Sequence, residues 1–471
     1  MKGGLDMLSK EIYTKLAKML GKKNVVTQQA DLVAYGYDAT LISLLPLAIV
    51  FPNSTEDVVS LVKYLNGINI PFVPRGAGTN LSGGSLANQQ SIVICFSRMT
   101  KILKIDTDNL IATVESGVVN YDLQVELEKV GFYYPPDPAS FKASTIGGNV
   151  AECSGGPRCF KYGVTRDYVL GMEVVLPNGK VIETGGNNFN SEYGYDLTRI
   201  LVGSEGTLGL VTKVNLRIIP KPFAKRTMLA IFNEVQEAAQ AVSRIVAAGI
   251  IPTTLEMMDN LLINTADEHV GIGLPRDAGA LLIIEVDGYD IDLDEQVDLI
   301  RDVCINSKSK DFKVASNEAE VERLWLARRI VIGSVGRRRP SYSLQDVTVP
   351  RSAFSAMVKA ILDCSKKYDL LIGILAHAGD GNFHPLVLFD ERNEEEVHRV
   401  HAAEIDMIRA ALDLGGTMSG EHGIGILKKE YLSLEFCPAA IDSFRMIKRG
   451  FDPQNILNKG KIFDLIAAAS L

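Results

Sequence analysis

Two short motifs of this 471-residue chain contain three of its six histidines. His377 and His384 flank the segment Ala-Gly-Asp-Gly-Asn-Phe, and His422 follows Glu421 within Ser-Gly-Glu-His-Gly. Imidazole and carboxylate groups are ligands that zinc and iron accept in proteins, and a neutral imidazole is also a general base near pH 7. These residue types therefore indicate a divalent metal site, a proton-transfer site, or both.

A hairpin is predicted to position the first motif. Apolar segments, residues 371–376 and 385–389, flank its Gly-Asp-Gly-Asn run, which is typical of a tight turn between two strands. Such a hairpin would bring His377 and His384 close together. No HExxH helix fixes their geometry. An ordinary turn with two hydrogen-bonded histidines, and Glu421 as a solvated acid, therefore stays open as the alternative.

Composition excludes several classes of protein. A net charge of −8, without a basic face, argues against nucleic-acid binding. The six cysteines form no CxxC pair, so neither a disulfide framework nor an iron–sulfur site is indicated. The longest apolar run, residues 41–51, is interrupted by Pro46 and is shorter than the ~20 residues of a membrane helix. We expect a cytoplasmic protein without a transmembrane segment, whose membrane contact, if any, is peripheral.

Three glycine-rich stretches precede the histidine motifs, at residues 74–85, 143–156 and 203–209. Consecutive backbone N–H groups in such loops can surround a phosphate, although each stretch by itself is also compatible with ordinary turns. The first stretch lacks the Gly-Lys-Ser/Thr of a P-loop, and Leu81 stands where a dinucleotide fingerprint needs its third glycine. A predicted strand, residues 91–96, follows it in place of a helix. A nicotinamide-binding Rossmann site is therefore not expected.

The order of the predicted elements indicates an α+β protein. Residues 1–51 form a helical lead-in, with a helix over 7–22, and residues 52–222 contain the glycine-rich stretches among strands, with a helix capped by Ser54 or Thr55. Residues 223–415 alternate strands and helices, as expected for an antiparallel sheet with helices on one face. Residues 416–471 are expected to complete the active site.

The motifs, taken in this order, resemble the vanillyl-alcohol oxidase superfamily, and within it the D-lactate/glycolate dehydrogenase branch of the FAD-linked oxidases. The resemblance extends from about Pro52 to the C-terminus and is carried by residues 74–80, 144–149, 203–209, 377–384, 419–423 and 451–458. It implies a two-part FAD-binding domain, an antiparallel-sheet cap domain and a C-terminal helical segment.

The resemblance also implies an FAD site in which residues 74–80 surround the pyrophosphate. The implied cofactor-binding residues are Pro74, Arg75, Gly76, Ala77, Gly78, Thr79, Asn80, Ser144, Thr145, Gly147, Gly148, Asn149, Gly155, Gly156, Glu205, Gly206, Gly209 and Asn458. Some relatives attach the flavin to a histidine near these loops. No histidine precedes His269 here, and Cys153 and Cys159 are interpreted as ordinary small residues, so we expect non-covalent FAD.

For the reaction, the resemblance implies that His377, His384 and Glu421 bind a divalent metal, zinc or iron, and that His422 is the catalytic base. Adjacent side chains of an extended segment point in opposite directions, so Glu421 would face the metal and His422 the substrate.

Arg328, in the sequence Trp-Leu-Ala-Arg, would bind the substrate carboxylate. Arg75 is a second candidate for that role, and Asn382 and Lys461 are expected to reach the site.

The predicted activity is metal-assisted oxidation of a small D-2-hydroxy acid by hydride transfer to FAD. D-lactate, giving pyruvate, ranks first because apolar residues 330–332 follow Arg328; glycolate and D-2-hydroxyglutarate are the alternatives. The predicted electron acceptor is an electron-transferring flavoprotein or another partner, with a membrane quinone next. An electron-relay subunit of a larger complex and a flavin-free metal hydrolase are the competing classes.

Overall fold

The computed structural model describes residues 8–40, 42–187 and 194–465. The α-helices within these ranges are α1 Lys10–Leu20, α2 Gln29–Val33, α3 Thr55–Gly67, α4 Asn120–Glu128, α5 Ile146–Glu152, α6 Cys159–Tyr162, α7 Leu197–Leu201, α8 Val235–Ala247, α9 Asn260–Val270, α10 Asp290–Asn306, α11 Glu318–Ser334, α12 Phe354–Tyr368, α13 Glu394–Asp413, α14 Leu432–Glu435 and α15 Pro438–Phe451. None of these helices is long and apolar enough to cross a membrane.

The strands in the same ranges are β1 Val25–Val26, β2 Ala48–Val50, β3 Phe72–Arg75, β4 Ile92–Cys95, β5 Ile102–Asp106, β6 Ile111–Glu115, β7 Phe132–Tyr133, β8 Val169–Val175, β9 Val181–Gly185, β10 Leu210–Arg217, β11 Ile219–Pro220, β12 Ala224–Phe232, β13 Thr254–Asp259, β14 Ala280–Gly288, β15 Asp311–Val314, β16 Ser341–Leu344, β17 Val347–Thr348, β18 Leu371–His377 and β19 Asn382–Phe389. The chain forms two compact units. Unit 1 comprises the residues up to Ser154, Val164–Lys221 and the residues from Glu421 onward; unit 2 comprises Gly155–Gly163 and Pro222–Gly420.

Unit 1 is built on two larger sheets. The first has the order β1-β2-β4-β3, with β2, β4 and β3 parallel, and its apolar strands pack against α1 and α3. Helix α3 begins at its predicted cap, where the Ser54 hydroxyl accepts a hydrogen bond from the Asp57 N–H at 3.3 Å. The predicted leading helix is observed as α1, and Met7, its predicted first residue, lies outside the described ranges.

The second sheet of unit 1 is antiparallel, with the order β5-β6-β10-β8-β9. It contains a hairpin of β8 and β9, in which Val175 pairs with Val181. The second glycine-rich stretch was expected to be a loop, but it enters α5, whose N-cap is Thr145. Glycine is a poor helix former, which obscured this helix in the sequence. Close packing explains the glycine at 147, because a Cβ there would lie 2.6 Å from the Ser116 Cβ.

Unit 2 is organised around one antiparallel sheet with the strand order β15-β12-β14-β13-β18-β19-β16, and β17 pairs with β19 beside it. Leu386 and Leu388 of β19 pack into an apolar cluster with α9 and α11. Phe383 of the same strand, on the opposite face, stacks on Phe354 of α12, with ring centroids 4.4 Å apart. Helices therefore cover both faces. The prediction of helices on one face is wrong, because α9 and α11 pack on the face opposite to that covered by α12.

The predicted histidine hairpin is present. Strands β18 and β19 are joined by the turn at 378–381, where Gly381 has a φ of +85° and a Cβ would lie 2.2 Å from the Val349 carbonyl oxygen. His377 pairs with Asn382, and His384 pairs with Leu375. The two histidines are therefore diagonal neighbours on the same face of the sheet.

Replacing Ser54 with alanine is expected to lower the free energy of unfolding by about 1 kcal/mol, because the Asp57 N–H loses its acceptor. Ser60→Ala, at an exposed position of the same helix, is the matched control and should be neutral or slightly stabilising. Urea denaturation followed by circular dichroism measures both variants. Equal effects would contradict the capping role of Ser54.

Candidate functional site

The glycine-rich stretches at 74–85 and 203–209 and most of the stretch at 143–156 belong to unit 1, whereas Gly155 and Gly156 belong to unit 2. A Cβ at Gly76 would lie 2.2 Å from the Thr145 Oγ1, so the first and second stretches touch at this point. Asn458 joins the first and third stretches, because its Nδ2 donates to the Gly84 carbonyl at 3.0 Å and to the Glu205 carbonyl at 2.7 Å. Unit 1 therefore brings together the parts of the three predicted cofactor loops that it contains.

Several buried polar atoms on or beside these loops have no hydrogen-bond partner within the described part of the chain. They are the Arg75 Nη1, Ser85 Oγ, Ser116 Oγ, Ser144 Oγ, Asn149 Nδ2 and Asn458 Oδ1. Buried polar groups are normally hydrogen-bonded, so a group of unsatisfied donors and acceptors suits a polar ligand such as the phosphates and sugar of FAD. The residues present therefore fit the predicted cofactor.

Arg75 is 4% exposed and lies at the end of β3. Its Nη2 donates to the Tyr37 carbonyl at 2.8 Å and lies 1.9 Å from where a Cβ of residue 78 would be, so this position requires glycine. Burial lowers the pKa of the guanidinium, opposed by nearby Cys95 and Asp38. The Nη2 is therefore occupied by Tyr37, whereas the Nη1 has no hydrogen-bond partner among the described residues.

A buried group of acids and a lysine lies next to these loops. Glu205, with a φ of +51°, accepts hydrogen bonds from the N–H groups of Ile424 and Gly425 at 2.7 and 2.6 Å, yet burial raises its pKa. Burial and the neighbouring Glu205 raise the pKa of Glu152 well above its usual value. Burial lowers the pKa of Lys461 to about 8, with Asp38 and Glu205 acting in the opposite direction. The loop that follows His422 is therefore held by a buried carboxylate.

In unit 2 one face of the sheet changes from apolar to polar along its strands. Met258, Leu375 and Leu386 belong to the apolar cluster beneath α9 and α11. Two residues away on the same strands, and hence on the same face, are the buried side chains of Glu256, His377 and His384. The ring centroids of His377 and His384 are 5.0 Å apart and the rings are nearly perpendicular. The sheet thus assembles a compact set of nitrogen and oxygen donors.

Glu256 has two close partners within this polar zone. Its Oε1 lies 2.6 Å from the His377 Nδ1, and its Oε2 accepts from the Arg328 Nε at 2.6 Å. Burial alone would raise the pKa of Glu256, but the charges and hydrogen bonds of His377 and Arg328 more than offset it, so the pKa lies below its usual value. Glu256 was not among the predicted site residues, although an acid between the apolar residues Leu255 and Met257 was a signal for it.

Asp346 is a second polar residue that the sequence analysis missed. It is fully buried, and its Oδ2 accepts hydrogen bonds from the Ser419 hydroxyl at 2.7 Å and the Gly420 N–H at 2.9 Å. Its Oδ1 lies 3.9 Å from the His384 Nδ1. Asp346 therefore ties the end of the 416–420 segment to the strand pair that carries His384.

Asn382 and Arg328 also belong to unit 2. The Asn382 Oδ1 accepts a hydrogen bond from the Thr348 hydroxyl at 3.2 Å. Arg328 is 5% exposed on α11, and residues 330–332 pack in or against the apolar cluster. Those three residues serve the core of unit 2, so they give no support to the ranking of lactate above 2-hydroxyglutarate.

Glu421 and His422 are the first residues of the last segment of unit 1. They form a bend, in contrast to the extended conformation assumed from the sequence. The Glu421 Oε1 and His422 Nε2 are 4.0 Å apart, so the two side chains approach each other instead of diverging. His422 is 9% exposed.

Comparison with known proteins agrees with the fold and with the cofactor loops. The family described as FAD binding domain matches residues 46–185, and the family described as FAD linked oxidases, C-terminal domain, matches residues 221–462. The structure is similar to a crystal structure of p-cresol methylhydroxylase with substrate bound. The match covers 98% of each chain, with a TM-score of 0.78 and 20% identity. The fold is therefore that of the vanillyl-alcohol oxidase type, as predicted.

Full-length relatives narrow the class further. The chain is 43% identical to the glycolate oxidase subunit GlcD of Bacillus subtilis, covering 97% of each chain. It is 39% identical to GlcD of Escherichia coli, covering 88% of this chain and 83% of that one, and 33% identical to a D-lactate dehydrogenase of Anaerostipes hadrus, covering 88% and 89%. The chain belongs to the FAD-linked oxidase family, and the predicted FAD cofactor is confirmed at that level.

Lys461 provides a test of the buried group in unit 1. Its pKa is about 8 in the folded protein against an ordinary 10.5, so between these pH values the unfolded chain binds more protons. The contribution of Lys461 to the free energy of unfolding should therefore rise by about 3 kcal/mol as the pH increases from 8 to 10.5. Urea denaturation of FAD-free protein gives the free energy of unfolding of the wild type and of Lys461→Met at each pH. The quantity compared is the wild-type value minus the variant value. A difference that stays constant or falls would contradict the burial of this charge.

Proposed function

We propose that this chain catalyses the FAD-dependent, metal-assisted oxidation of a small 2-hydroxy acid. The observation that carries the proposal is the cluster of His377, His384, Glu256 and Arg328 on one polar zone of unit 2, in a member of an FAD-linked oxidase family. Glycolate is the first candidate substrate, because the relatives at 43% and 39% identity are named glycolate oxidase subunits. D-lactate is the second, because of the relative named D-lactate dehydrogenase.

Oxidation of a 2-hydroxy acid to the 2-oxo acid removes a hydride from carbon and a proton from the hydroxyl group. Bound FAD supplies the hydride acceptor. His422, whose ring is largely buried, accepts the hydroxyl proton as general base. Arg328 binds the substrate carboxylate and fixes the orientation of the 2-carbon. The products are a 2-oxo acid and a reduced flavin, and His422 then returns its proton to solvent.

We propose that His377, His384 and Glu421 hold zinc or iron. Imidazole nitrogens and a carboxylate are suitable ligands for either ion, and a bound ion lowers the pKa of a hydroxyl group. Chain connectivity supports the inclusion of Glu421. It follows Gly420 directly, and the Gly420 N–H is hydrogen-bonded to Asp346, the neighbour of His384 in unit 2.

Reduced flavin needs an electron acceptor. We propose an electron-transferring flavoprotein or another redox partner, because the sequence contains no iron–sulfur or haem motif. The name "subunit" in the GlcD relatives supports a partner protein.

Anaerobic mixing of the purified flavoprotein with glycolate tests the activity directly. We expect loss of the flavin absorbance near ~450 nm with glycolate, and with D-lactate if the pocket accepts its methyl group. Acetate, which lacks the hydroxyl group, is the negative control, and D-2-hydroxyglutarate and L-lactate complete the panel. Prior treatment with a chelator should prevent bleaching. Absence of bleaching by every hydroxy acid in metal-loaded protein would instead support an electron-relay subunit.

His422→Asn is expected to slow flavin reduction by about 10²–10⁴-fold while FAD stays bound, because only the proton acceptor is removed. His398→Asn, on the exposed side of α13, is the matched control and should reduce at the wild-type rate. Stopped-flow absorbance under anaerobic conditions measures both rates. Wild-type reduction in the His422 variant would remove this residue from the role of base.

A further inference from the structure

We propose that Glu256 is a positioning residue that fixes both the metal-binding atom of His377 and the carboxylate-binding fork of Arg328. Each oxygen of its carboxylate has one of these partners, at 2.6 Å in both cases. This inference rests on the proposed function, because it gives Glu256 its role through the proposed roles of His377 and Arg328.

The charge of Glu256 determines which nitrogen of His377 carries the proton. An ionised carboxylate can only accept hydrogen bonds, so the Nδ1 of His377 must donate to the Oε1. In the neutral ring the Nε2 is then unprotonated, which is the form that binds a metal ion. Carboxylates that orient metal-binding histidines in this way commonly change metal affinity by about 10–100-fold when they are replaced.

The same carboxylate determines how Arg328 can bind a ligand. Its Nε donates to the Glu256 Oε2, and this is the one ion pair of Arg328 among the described residues. The guanidinium is planar, so anchoring the Nε fixes the direction of both Nη groups. Those two groups can then form the paired hydrogen bonds that a substrate carboxylate accepts.

The position of Glu256 in the fold supports a single role for both contacts. Its backbone pairs directly with that of His377 across β13 and β18, so their side chains are neighbours on one face. Arg328 reaches the same face from α11, where Ala327 and Val331 belong to the apolar cluster and hold the helix against the sheet. Glu256 thereby connects His377, a proposed ligand of the metal that would bind the substrate hydroxyl group, with Arg328, which would bind the substrate carboxylate.

Glu256→Gln discriminates between this role and simple packing. The glutamine oxygen would accept from Arg328, which is always protonated, and its NH₂ would face the Nδ1 of His377. His377 would then carry its proton on Nε2, the nitrogen proposed to bind the metal. We expect the affinity for Zn²⁺ to fall about 10–100-fold with FAD content unchanged. A neutral amide oxygen anchors the Arg328 Nε more weakly than a carboxylate does, so KM for glycolate should stay raised when kcat is restored by excess Zn²⁺.

Glu285→Gln is the matched control. Glu285 is also buried on the same face of the sheet, on β14, but its carboxylate accepts from the Thr227 hydroxyl at 2.8 Å, an interaction that glutamine keeps. This variant should have wild-type Zn²⁺ affinity and wild-type KM. Competition with a chromophoric chelator measures the Zn²⁺ affinity of all three proteins, and steady-state kinetics give KM and kcat.

The wild-type protein provides a measurement that needs no substitution at Glu256. In metal-free protein labelled with ¹⁵N-histidine, the resonance that disappears in His377→Gln should show protonation at Nδ1. Protonation at Nε2, or wild-type Zn²⁺ affinity together with wild-type KM in folded Glu256→Gln, would overturn the role of Glu256. If the wild type itself neither binds Zn²⁺ nor reduces its flavin with glycolate, the proposed function fails first.

Discussion

The buried carboxylate of Glu256 is the interaction on which the polar zone of unit 2 depends. An unpaired charge at such a position would oppose folding, and removing one partner of a buried ion pair typically costs about 3–5 kcal/mol. Here each oxygen has its own donor, from His377 on the neighbouring strand and from Arg328 on α11. The two side chains proposed to bind the metal and the substrate are therefore held in place by an ion pair that also stabilises the fold.

The surrounding structure makes this arrangement possible by dividing one face of the sheet into two zones. At one end, Met258, Leu375 and Leu386 pack with α9 and α11 and provide apolar burial. Two residues away on each strand the side chains are polar, yet they remain buried. Side chains on the same face of a strand repeat every second residue. The change from apolar to polar therefore places Glu256, His377 and His384 together beside the apolar cluster.

In unit 1 the buried polar atoms at the predicted cofactor loops differ in their hydrogen bonding. The Asn458 Nδ2 is hydrogen-bonded to two of the loops, whereas the Oδ1 of the same side chain has no partner among the described residues. The tight contacts at Gly76 and Gly147 leave no space for a Cβ, so the loops can meet closely. A fold that accepts unsatisfied buried groups loses stability, and a bound cofactor that satisfies them would restore it.

Much of this protein followed from local patterns in the sequence. Alternating apolar residues predicted the histidine hairpin, Ser54 predicted the start of α3, and the ordered glycine motifs led to the FAD-linked oxidase family, because each pattern lies within a few neighbouring residues. The partners of His377 and Arg328 could not be read in the same way. Glu256 lies 121 residues before His377 and 72 before Arg328, and Asp346 lies 74 before Gly420. Such distant residues become neighbours only through strand order and helix packing, so the tertiary structure was needed to find the carboxylates that hold the site.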